Sequence, residues 1–314
     1  MSVYTDIPQE TIQQWATELN LGAVQSVTAA SHGIQNSNYF VAVANKAQDS
    51  KYVLTVIETL EADTVAMYLS IFDKLAQSNV PIPAAIPRGA PKIFMIENKA
   101  AAWFPFFAGD HPSIPTHTQV MGIAEALGKL HRSAQTIDHA ALPKPLPKLI
   151  ALHPQPWMKA SEREWLQGKL DTLDEFYRAW PGLSSGIIHS DLFRDNTLYN
   201  GDVLNGVLDF YDIKYGPYLC DLAITLNDWC LIPQSNQPTQ LSDAFLNTYN
   251  TTHGLPHYEL RWLKHAQLDA AIRFWYSRTL QMWRITHSDP NLAGHDPNPM
   301  RTLADTIETE LIVS

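Results

Sequence analysis

The 314-residue sequence predicts an α+β fold, in which a small antiparallel β-sheet with one helix precedes a larger, mainly helical part. Two observations predict it. Up to about residue 105, short stretches rich in β-branched residues alternate between apolar and polar positions, as half-buried strands do. Beyond residue 110, the apolar residues recur at helical spacing. We therefore expect two domains, 1–105 and 106–314, with a boundary between Phe104 and Gly109.

The first domain contains five predicted strands. After a first helix, strands are predicted at 22–30, 39–45 and 50–58, with the turn SHGIQNSN before the second. Residues 62–79 carry apolar residues at helical spacing and end before the break VPIP. Residues 92–107 are predicted to form a β-hairpin that runs into a Pro-containing connector.

The second domain is predicted to be helical except for one hairpin. Its predicted helices cover residues 119–136, 161–180, 242–250 and 257–283. Residues 186–210 instead form two short strands joined by Asn200-Gly201, the strongest two-residue hairpin signal. A dense group of ionic and amide side chains lies just before this hairpin: His189, Asp191, Arg194, Asp195 and Asn196.

Composition excludes several classes of function. The net charge is −10 and no basic run occurs, so we expect no nucleic-acid partner and no anionic membrane surface as partner. The sequence has neither a secretory leader pattern nor a run of eighteen apolar residues. Cys220 and Cys230 fall on one predicted buried helix, which favours reduced thiols and a cytoplasmic location. The oligomeric state stays open.

Three familiar motifs fail on context. GLSSG at 182–186 matches G-x-S-x-G, but a predicted helix precedes Ser184 and a strand follows, the reverse of what a hydrolase needs. GIAEALGKL has one residue too many between its glycines for a phosphate-binding loop. The twelve histidines show no zinc spacing, so His131 and His189 are predicted to be structural donors.

The ionic and amide residues before the hairpin follow one another in the sequence in the order that is typical of enzymes of phosphoryl transfer. His189-x-Asp191 is followed after four residues by Asn196, and the hairpin then leads to Asp209. Transfer from ATP to a hydroxyl requires a carboxylate at the hydroxyl, and an amide oxygen and a second carboxylate on magnesium. We therefore predict Asp191, Asn196 and Asp209 as catalytic residues, with Asn196 and Asp209 as ligands of Mg²⁺. This spacing resembles the catalytic loop of protein kinases.

HSDLFRDNTLY and GVLDFYDIKYGPYLCDLA are more similar to the aminoglycoside phosphotransferase and choline kinase family. The resemblance covers nearly the whole chain and implies a protein-kinase-like bilobal fold that uses ATP and Mg²⁺. In that family an Asp-Leu-Ala follows the metal aspartate, which implies that Asp221 braces the catalytic loop. Within the family, SHGIQNSNYFV, YVLTVIE, DFYD, ITLNDWC and RFWYSRTL look like bacterial homoserine kinases. This implies phosphorylation of the side-chain hydroxyl of L-homoserine, a step of threonine biosynthesis.

The nucleotide site that the resemblance implies departs from the kinase pattern. It consists of Gly33, Asn36, Ser37, Asn38, Thr55, Phe104 and Phe106. Gly33 is one glycine where three are usual, and Thr55 stands where the third strand would carry lysine. Lys51 is a poor substitute, since it lies about 13 Å away along a strand at about 3.3 Å per residue. A non-catalytic nucleotide-binding regulator is therefore an alternative, although both functional aspartates are present.

The acceptor site that the resemblance implies is rich in arginine. It consists of Asp191, Arg194, Tyr211, Asn227, Asp228, Arg273 and Arg278. Homoserine carries a carboxylate, which arginine binds in a bidentate fork, and an ammonium, which needs oxygen partners. For Arg273 and Arg278 the alternative is a buried ion pair within the helical domain. A kinase for choline, hydroxylysine or an aminoglycoside is the alternative function.

Overall fold

The chain divides into two compact units. The N-terminal unit comprises Met1–Gly109 and Asn205–Phe210, and the C-terminal unit comprises Asp110–Leu204 and Tyr211–Ser314. The computed structural model describes residues 5–30, 36–44, 50–145, 154–231, 238–287 and 294–313.

The N-terminal unit is built on an antiparallel five-stranded sheet of order β1-β2-β3-β5-β4. Its strands are β1 Ala23–Ala29, β2 Ser37–Ala44, β3 Ser50–Ile57, β4 Phe94–Ile96 and β5 Lys99–Pro105. Helix α2, Ala62–Leu75, is the one predicted to accompany the sheet, and α1, Gln9–Glu18, adds a second. The five predicted strands and the β4–β5 hairpin are thereby confirmed.

The alternation along β2 decides which face of this sheet is buried against α1. Tyr39, Val41 and Val43 point to one face and form a core with Ile12 and Trp15 of α1. Because side chains alternate along a strand, the residues between them point to the opposite face. That opposite face carries most of the residues predicted to bind nucleotide.

The C-terminal unit is mainly helical, as predicted. Its helices are α3 His117–Ala134, α4 Ala160–Thr172, α5 Asp174–Ala179, α6 Tyr218–Leu226, α7 Pro238–Thr252, α8 His257–Leu260, α9 Leu263–His287 and α10 Asn298–Val313. Helices α6, α9 and α10 share a core that includes Leu219, Trp275 and Ile307. Helix α6 continues into a π-helical turn at Asn227–Leu231, so Cys220 and Cys230 lie on one continuous helical segment. In the described part of the chain, no helix combines the length and apolarity needed to cross a bilayer.

Two predicted helices are each divided in the structure. The helix predicted at 161–180 breaks at Leu173, whose amide closes a tight turn onto the Leu170 carbonyl. The helix predicted at 257–283 breaks after α8, where the Trp262 amide bonds to the Glu259 carbonyl. Such short turns keep the apolar residues nearly in phase, so hydrophobic periodicity does not register them.

Short strands frame the ionic segment of the C-terminal unit. Strand β6, Ser185–Ile188, precedes it and pairs antiparallel with β9, Lys214–Pro217. The predicted hairpin is present as β7, Thr197–Asn200, and β8, Val203–Val207. Its turn lies one residue later than predicted, at Gly201-Asp202, because Asn200 still pairs as the last residue of β7, and Gly201 has a positive φ of 59°. Strand β9 was not predicted, because its four residues, KYGP, include glycine and proline, which strands disfavour.

Candidate active site

The segment between β6 and β7 places Asp191 and Asn196 in direct contact. The Asn196 side-chain amide Nδ2 donates to the Asp191 carboxylate Oδ2 at 3.0 Å and to the Asp191 carbonyl at 2.8 Å. A one-turn 3₁₀ helix at Arg194–Asn196 closes the loop and brings the two residues together. Both bonds use Nδ2, so they fix the rotamer of the Asp191 carboxylate and the orientation of the Asn196 amide oxygen.

Asp221 anchors this loop from α6. Its side chain is fully buried, and its carboxylate accepts backbone N–H bonds from His189 and Ser190, both at 2.6 Å. His131 Nε2 lies 3.0 Å from the same carboxylate. Burial opposes ionisation, but the His131 contact and these backbone donors hold the pKa of Asp221 below its usual value. The brace that the family resemblance implies for Asp221 is thereby confirmed.

His131 connects this anchor to α7. Its Nδ1 is 2.8 Å from the Tyr249 hydroxyl, and its imidazole lies 4.5 Å from the ring of Tyr218. His253 packs against the same group, and burial lowers its pKa to about 4. His131 is thus a structural histidine, as predicted, but its partners come from sequence positions that no local motif connects to it.

Two of the three predicted acceptor arginines are neutralised by carboxylates. Arg194 donates from Nε to Asp228 Oδ2 at 2.9 Å and from Nη2 to Asp228 Oδ1 at 3.3 Å. Arg273 donates from Nε to the buried Asp269 at 2.6 Å, and Asp269 also accepts the Tyr177 hydroxyl. Arg194 and Asp228 were both predicted site residues and lie together, whereas Arg273 forms the buried ion pair that was its alternative.

Arg278 differs from the other two. Its guanidinium lies 5.9 Å from the ring centroid of Phe193 in the loop, and Nη1 donates to the Asp296 carbonyl at 3.3 Å. Within the described residues, it belongs to no ion pair with a carboxylate. Burial lowers its pKa, while attraction to Asp228, Asp195 and Asp191 opposes this shift. Arg278 is therefore a partly buried cation within the field of the loop carboxylates.

The remaining predicted acceptor residues lie on either side of α6. Asn227 Nδ2 donates to the Gln267 carbonyl at 2.8 Å, and its Oδ1 is buried without a hydrogen bond to any described residue. Tyr211 is half-buried in a 3₁₀ turn, Phe210–Asp212.

Ser184, the serine of the G-x-S-x-G match, lies in a connector, as predicted, and its hydroxyl donates to the buried Glu259 at 2.6 Å.

In the N-terminal unit, one face of the sheet carries four of the predicted nucleotide residues. Asn38 and Thr55 are cross-strand partners, and the Thr55 hydroxyl donates to Asn38 Oδ1 at 2.7 Å. Two residues further along β2 on the same face, Phe40 is the cross-strand partner of Val53 in β3, and Val53 is the partner of Phe104 in β5. The Phe106 ring meets Phe40 edge-on at 5.8 Å. Phe40 was not predicted, although its position two residues after Asn38 puts it on the same face.

Other predicted nucleotide residues are placed differently. The Ser37 hydroxyl donates to Glu58 on the α1 side of the sheet, away from Asn38 and Thr55. The Asn36 side-chain oxygen accepts the Glu58 amide at 3.3 Å. Lys99 also donates to Glu58, which makes a polar cluster at the end of β3. Gly33 lies outside the described residues.

Asp209 follows β8 in the N-terminal unit and has a left-handed backbone. Its φ is 59°, a conformation that few residues other than glycine adopt and that aspartate tolerates better than most. Phe210 next to it is buried, with its ring 5.7 Å from that of Phe72 on α2. The packing of Phe210 thus holds the backbone of Asp209 in place.

A family model described as "Phosphotransferase enzyme family" matches residues 26–259 of this chain. The chain belongs to that phosphotransferase family. The matched segment contains Asp191, Asn196 and Asp209, together with the Asp221 anchor. The predicted family resemblance is thereby confirmed.

Curated relatives of the family span nearly the same length. A homoserine kinase of Cupriavidus necator is 30% identical over 315 residues, covering 95% of this chain and 93% of its own. One from Polaromonas naphthalenivorans is 30% identical with 95% coverage of both chains. One from Methylobacillus glycogenes is 31% identical over 288 residues, covering 88% of this chain and 87% of its own.

Solved phosphotransferase structures share the fold at low identity. An amicoumacin kinase in complex with AMP-PNP, Ca²⁺ and Ami superposes with a TM-score of 0.71 and 14% identity, covering 97% of this chain and 94% of its own. A thermostable mutant of an aminoglycoside phosphotransferase, in a ternary complex with AMP-PNP and hygromycin B, gives 0.65 and 16%, covering 95% and 97%. These likenesses confirm the predicted α+β, protein-kinase-like fold class.

The donor atoms of the predicted metal ligands fit magnesium. Asn196 offers an amide oxygen and Asp209 a carboxylate, and hard oxygen ligands of this kind suit Mg²⁺, which also keeps waters and substrate phosphates. The Asn196 amide donates through Nδ2 to Asp191, which orients its oxygen away from that carboxylate. Within the described residues, no group of three or more His, Cys, Asp or Glu side chains forms a metal cluster. A magnesium held partly by substrate phosphates does not need one.

Proposed function

We propose that this chain transfers the γ-phosphoryl group of ATP to the side-chain hydroxyl of L-homoserine, giving ADP and O-phospho-L-homoserine. The observation that carries the proposal is the Asp191–Asn196 pair, held in contact within a loop whose residue spacing resembles the catalytic loop of kinases. The choice of homoserine is supported by relatives of that name, about 30% identical over 95% of this chain. The activity belongs to amino-acid biosynthesis, on the route to threonine.

Asp191 accepts the proton of the acceptor hydroxyl in the proposed reaction. A bond forms between that oxygen and the γ-phosphorus, the bond from the γ-phosphorus to the ADP oxygen breaks, and the proton passes to the Asp191 carboxylate and then to water. Asn196 holds this carboxylate in one rotamer through its 3.0 Å bond. Little covalent chemistry falls to a kinase beyond such positioning and the stabilisation of charge.

Asn196 and Asp209 are the proposed ligands of Mg²⁺. The ion supplies positive charge that neutralises the phosphate oxygens when it is bound. The sheet face of the N-terminal unit is proposed to bind ATP, with the adenine against Phe104 and Phe106 and the phosphates towards Asn38 and Thr55. Phe40 adds an aromatic edge to that face, and its side chain is 41% exposed.

Arg278 is the proposed partner of the homoserine carboxylate. Arg194 and Arg273 already pair with Asp228 and Asp269, so binding a second carboxylate would require them to share or break those ion pairs. Arg278 lies against Phe193 in the catalytic loop, and its charge is balanced by a carbonyl and by more distant carboxylates. Asp228 remains the proposed oxygen partner for the ammonium.

An acceptor panel tests the proposal. The purified protein is assayed with ATP and Mg²⁺ against L-homoserine, choline, hydroxylysine and an aminoglycoside, with ADP release followed by a coupled enzyme assay and the product identified by phosphorus NMR. We expect homoserine to give the highest kcat/KM, and Asp191→Asn to lower acceptor-dependent ADP release by about 10²–10⁴-fold. A higher kcat/KM for another acceptor would show that the homoserine assignment is wrong. ATP binding with no acceptor turnover would favour the regulator alternative.

A further inference from the structure

Lys214 contacts the catalytic loop at a residue that the proposed reaction does not use. It begins β9, opposite Ile188 at the end of β6. Its Nζ donates to the Ser190 hydroxyl at 2.9 Å and to the Asp212 carbonyl at 3.1 Å. The Ser190 hydroxyl in turn donates to that same carbonyl. The three groups therefore form a closed ring of hydrogen bonds directly before Asp191.

Ser190 needs such support because its backbone is left-handed. Its φ is 64°, a region that residues with a Cβ seldom adopt and that persists where surrounding contacts impose it. Asp221 holds the Ser190 amide at 2.6 Å, and the Lys214 ring holds its hydroxyl. Ser190 is bonded covalently to Asp191, so a turn of the Ser190 backbone would redirect the catalytic carboxylate.

The chemistry of Lys214 suits a role in positioning. Its side chain is 33% exposed, so about two thirds of the side-chain surface is covered by neighbouring residues. The carboxylate oxygen of Asp212 is 4.0 Å from Nζ, at the outer limit of an ion pair, while the two shorter contacts are charge-assisted hydrogen bonds to neutral oxygens. These contacts join β9 to the loop, which a lysine serving only solubility would not do.

We infer that Lys214 is a positioning residue for Asp191, acting through the Ser190 hydroxyl. The inference rests on the proposed function, in which Asp191 receives the acceptor proton. Lys214 acts on the rate of the chemical step, since the ring that it completes fixes the catalytic loop. Its loss therefore lowers kcat and leaves the affinities for ATP and acceptor nearly unchanged.

Three lysine variants test this inference. Lys214→Met keeps the apolar stem and removes the donors, and Lys214→Arg keeps the charge and the donors. Lys144→Met is the matched control, because the Lys144 amine lies over the ring of Tyr215, the next residue of β9, at 5.9 Å. We expect Lys214→Met to lower kcat about 10-fold, the effect of one charge-assisted hydrogen bond. The KM values for ATP and for homoserine should stay within about two-fold of those of the wild type, because the change affects the chemical step and not substrate binding.

The conservative and control variants separate positioning from stability. Lys214→Arg should recover most of kcat, and Lys144→Met should match the wild type. Ser190→Ala breaks the same ring from the other side, so the double variant with Lys214→Met should be no slower than the slower single variant. Independent effects would instead multiply. If Lys214→Met melts too low to assay, Ser190→Ala alone should still show the fall in kcat at unchanged KM.

Three results would overturn the inference. The first is a kcat of Lys214→Met equal to that of the wild type. The second is a raised KM for homoserine in Lys214→Met while kcat stays unchanged. The third is a fall in kcat for Lys144→Met as large as that for Lys214→Met. A failure of the proposed function is distinguishable, because the wild type would then release no ADP with homoserine. The same variants would in that case be assayed with the acceptor that the panel identifies.

Discussion

Asp221→Asn should weaken both the stability of the C-terminal unit and the rate of catalysis. The wild-type carboxylate is fully buried and takes two backbone N–H bonds at 2.6 Å and one imidazole contact at 3.0 Å. Asparagine supplies one acceptor oxygen and an NH₂ group in place of the second oxygen. At least one of the three donors then faces another donor in a dry interior.

The expected size follows from these contacts. Hydrogen bonds to charged groups contribute about 1.5–3 kcal/mol and neutral ones about 0.5–1.5 kcal/mol, so each bond that loses its charged acceptor weakens by about 1–1.5 kcal/mol. Two bonds weakened in this way, together with about 1–3 kcal/mol for the donor left unsatisfied, sum to about 3–6 kcal/mol. With a denaturant slope of about 3 kcal/mol per molar, the urea midpoint should fall by at least about 1 M.

The pH dependence of unfolding provides a second test of the Asp221→Asn prediction. The pKa of Asp221 is lowered in the folded protein from an ordinary value of 3.8, so its contribution to stability is present above that value and is lost as pH falls through the folded pKa. The difference in urea midpoint between wild type and Asp221→Asn should therefore stay constant from pH 8 to about 5. It should narrow only below about pH 4.

Asp174→Asn is the control, because Asp174 forms an exposed i,i+4 pair with Arg178 on α5. Such surface pairs contribute about 0.3–0.5 kcal/mol, so its midpoint should hardly move. Urea unfolding followed by circular dichroism measures both variants, and a coupled ADP assay measures kcat. An Asp221→Asn midpoint within 0.2 M of the wild type, about the size of the control shift, would refute the claim that this carboxylate anchors the loop.

Four further outcomes follow from the contacts of the site. Asp191→Asn should lower kcat by about 10²–10⁴-fold in the ADP assay while ATP affinity by calorimetry stays near that of the wild type. Arg278→Met should raise the KM for homoserine about 10–150-fold, the loss of one charge-assisted contact, and leave that for ATP unchanged. Arg273→Met should instead lower stability by about 3–5 kcal/mol, because it leaves a buried carboxylate unpaired, and equal KM effects for the two variants would contradict this distinction. Ser184→Ala should keep full turnover and lose only the stability of its bond to Glu259; loss of turnover would revive the hydrolase alternative.

The features that the sequence predicts correctly depend on residues that are close together in the sequence. The spacing from His189 to Asn196 lies within one loop, so the residues that the motif names are the ones that the loop brings together. The hairpin is likewise indicated by adjacent residues, Asn200 and Gly201, although its turn lies one residue further on, at Gly201-Asp202. The family resemblance also names Asn38 and Thr55, which the register of β2 and β3 makes cross-strand partners.

The contacts that the sequence does not predict are those between residues far apart in the sequence. His131 meets Asp221 across 90 residues and Tyr249 across 118, and no spacing rule connects positions so far apart. The arginines show the same limit. Arg273 has its carboxylate four residues away on α9, whereas Arg194 meets Asp228 across 34 residues. The sequence therefore does not tell which of the three guanidiniums has no carboxylate within ion-pair distance among the described residues.

The loop that carries the proposed catalytic residues is therefore specified at two levels. Asp191 and Asn196 lie only five positions apart in the sequence, but the loop is also held by contacts from α6 through Asp221 and from β9 through Lys214. The left-handed φ of Ser190 is held by two contacts, the Asp221 carboxylate on its amide and the Lys214 amine on its hydroxyl. A conformation that the local sequence disfavours persists only where distant contacts impose it, and here those contacts meet at the residue before Asp191. Rates should consequently be more sensitive to Lys214 and Asp221 than their distance in sequence from Asp191 suggests.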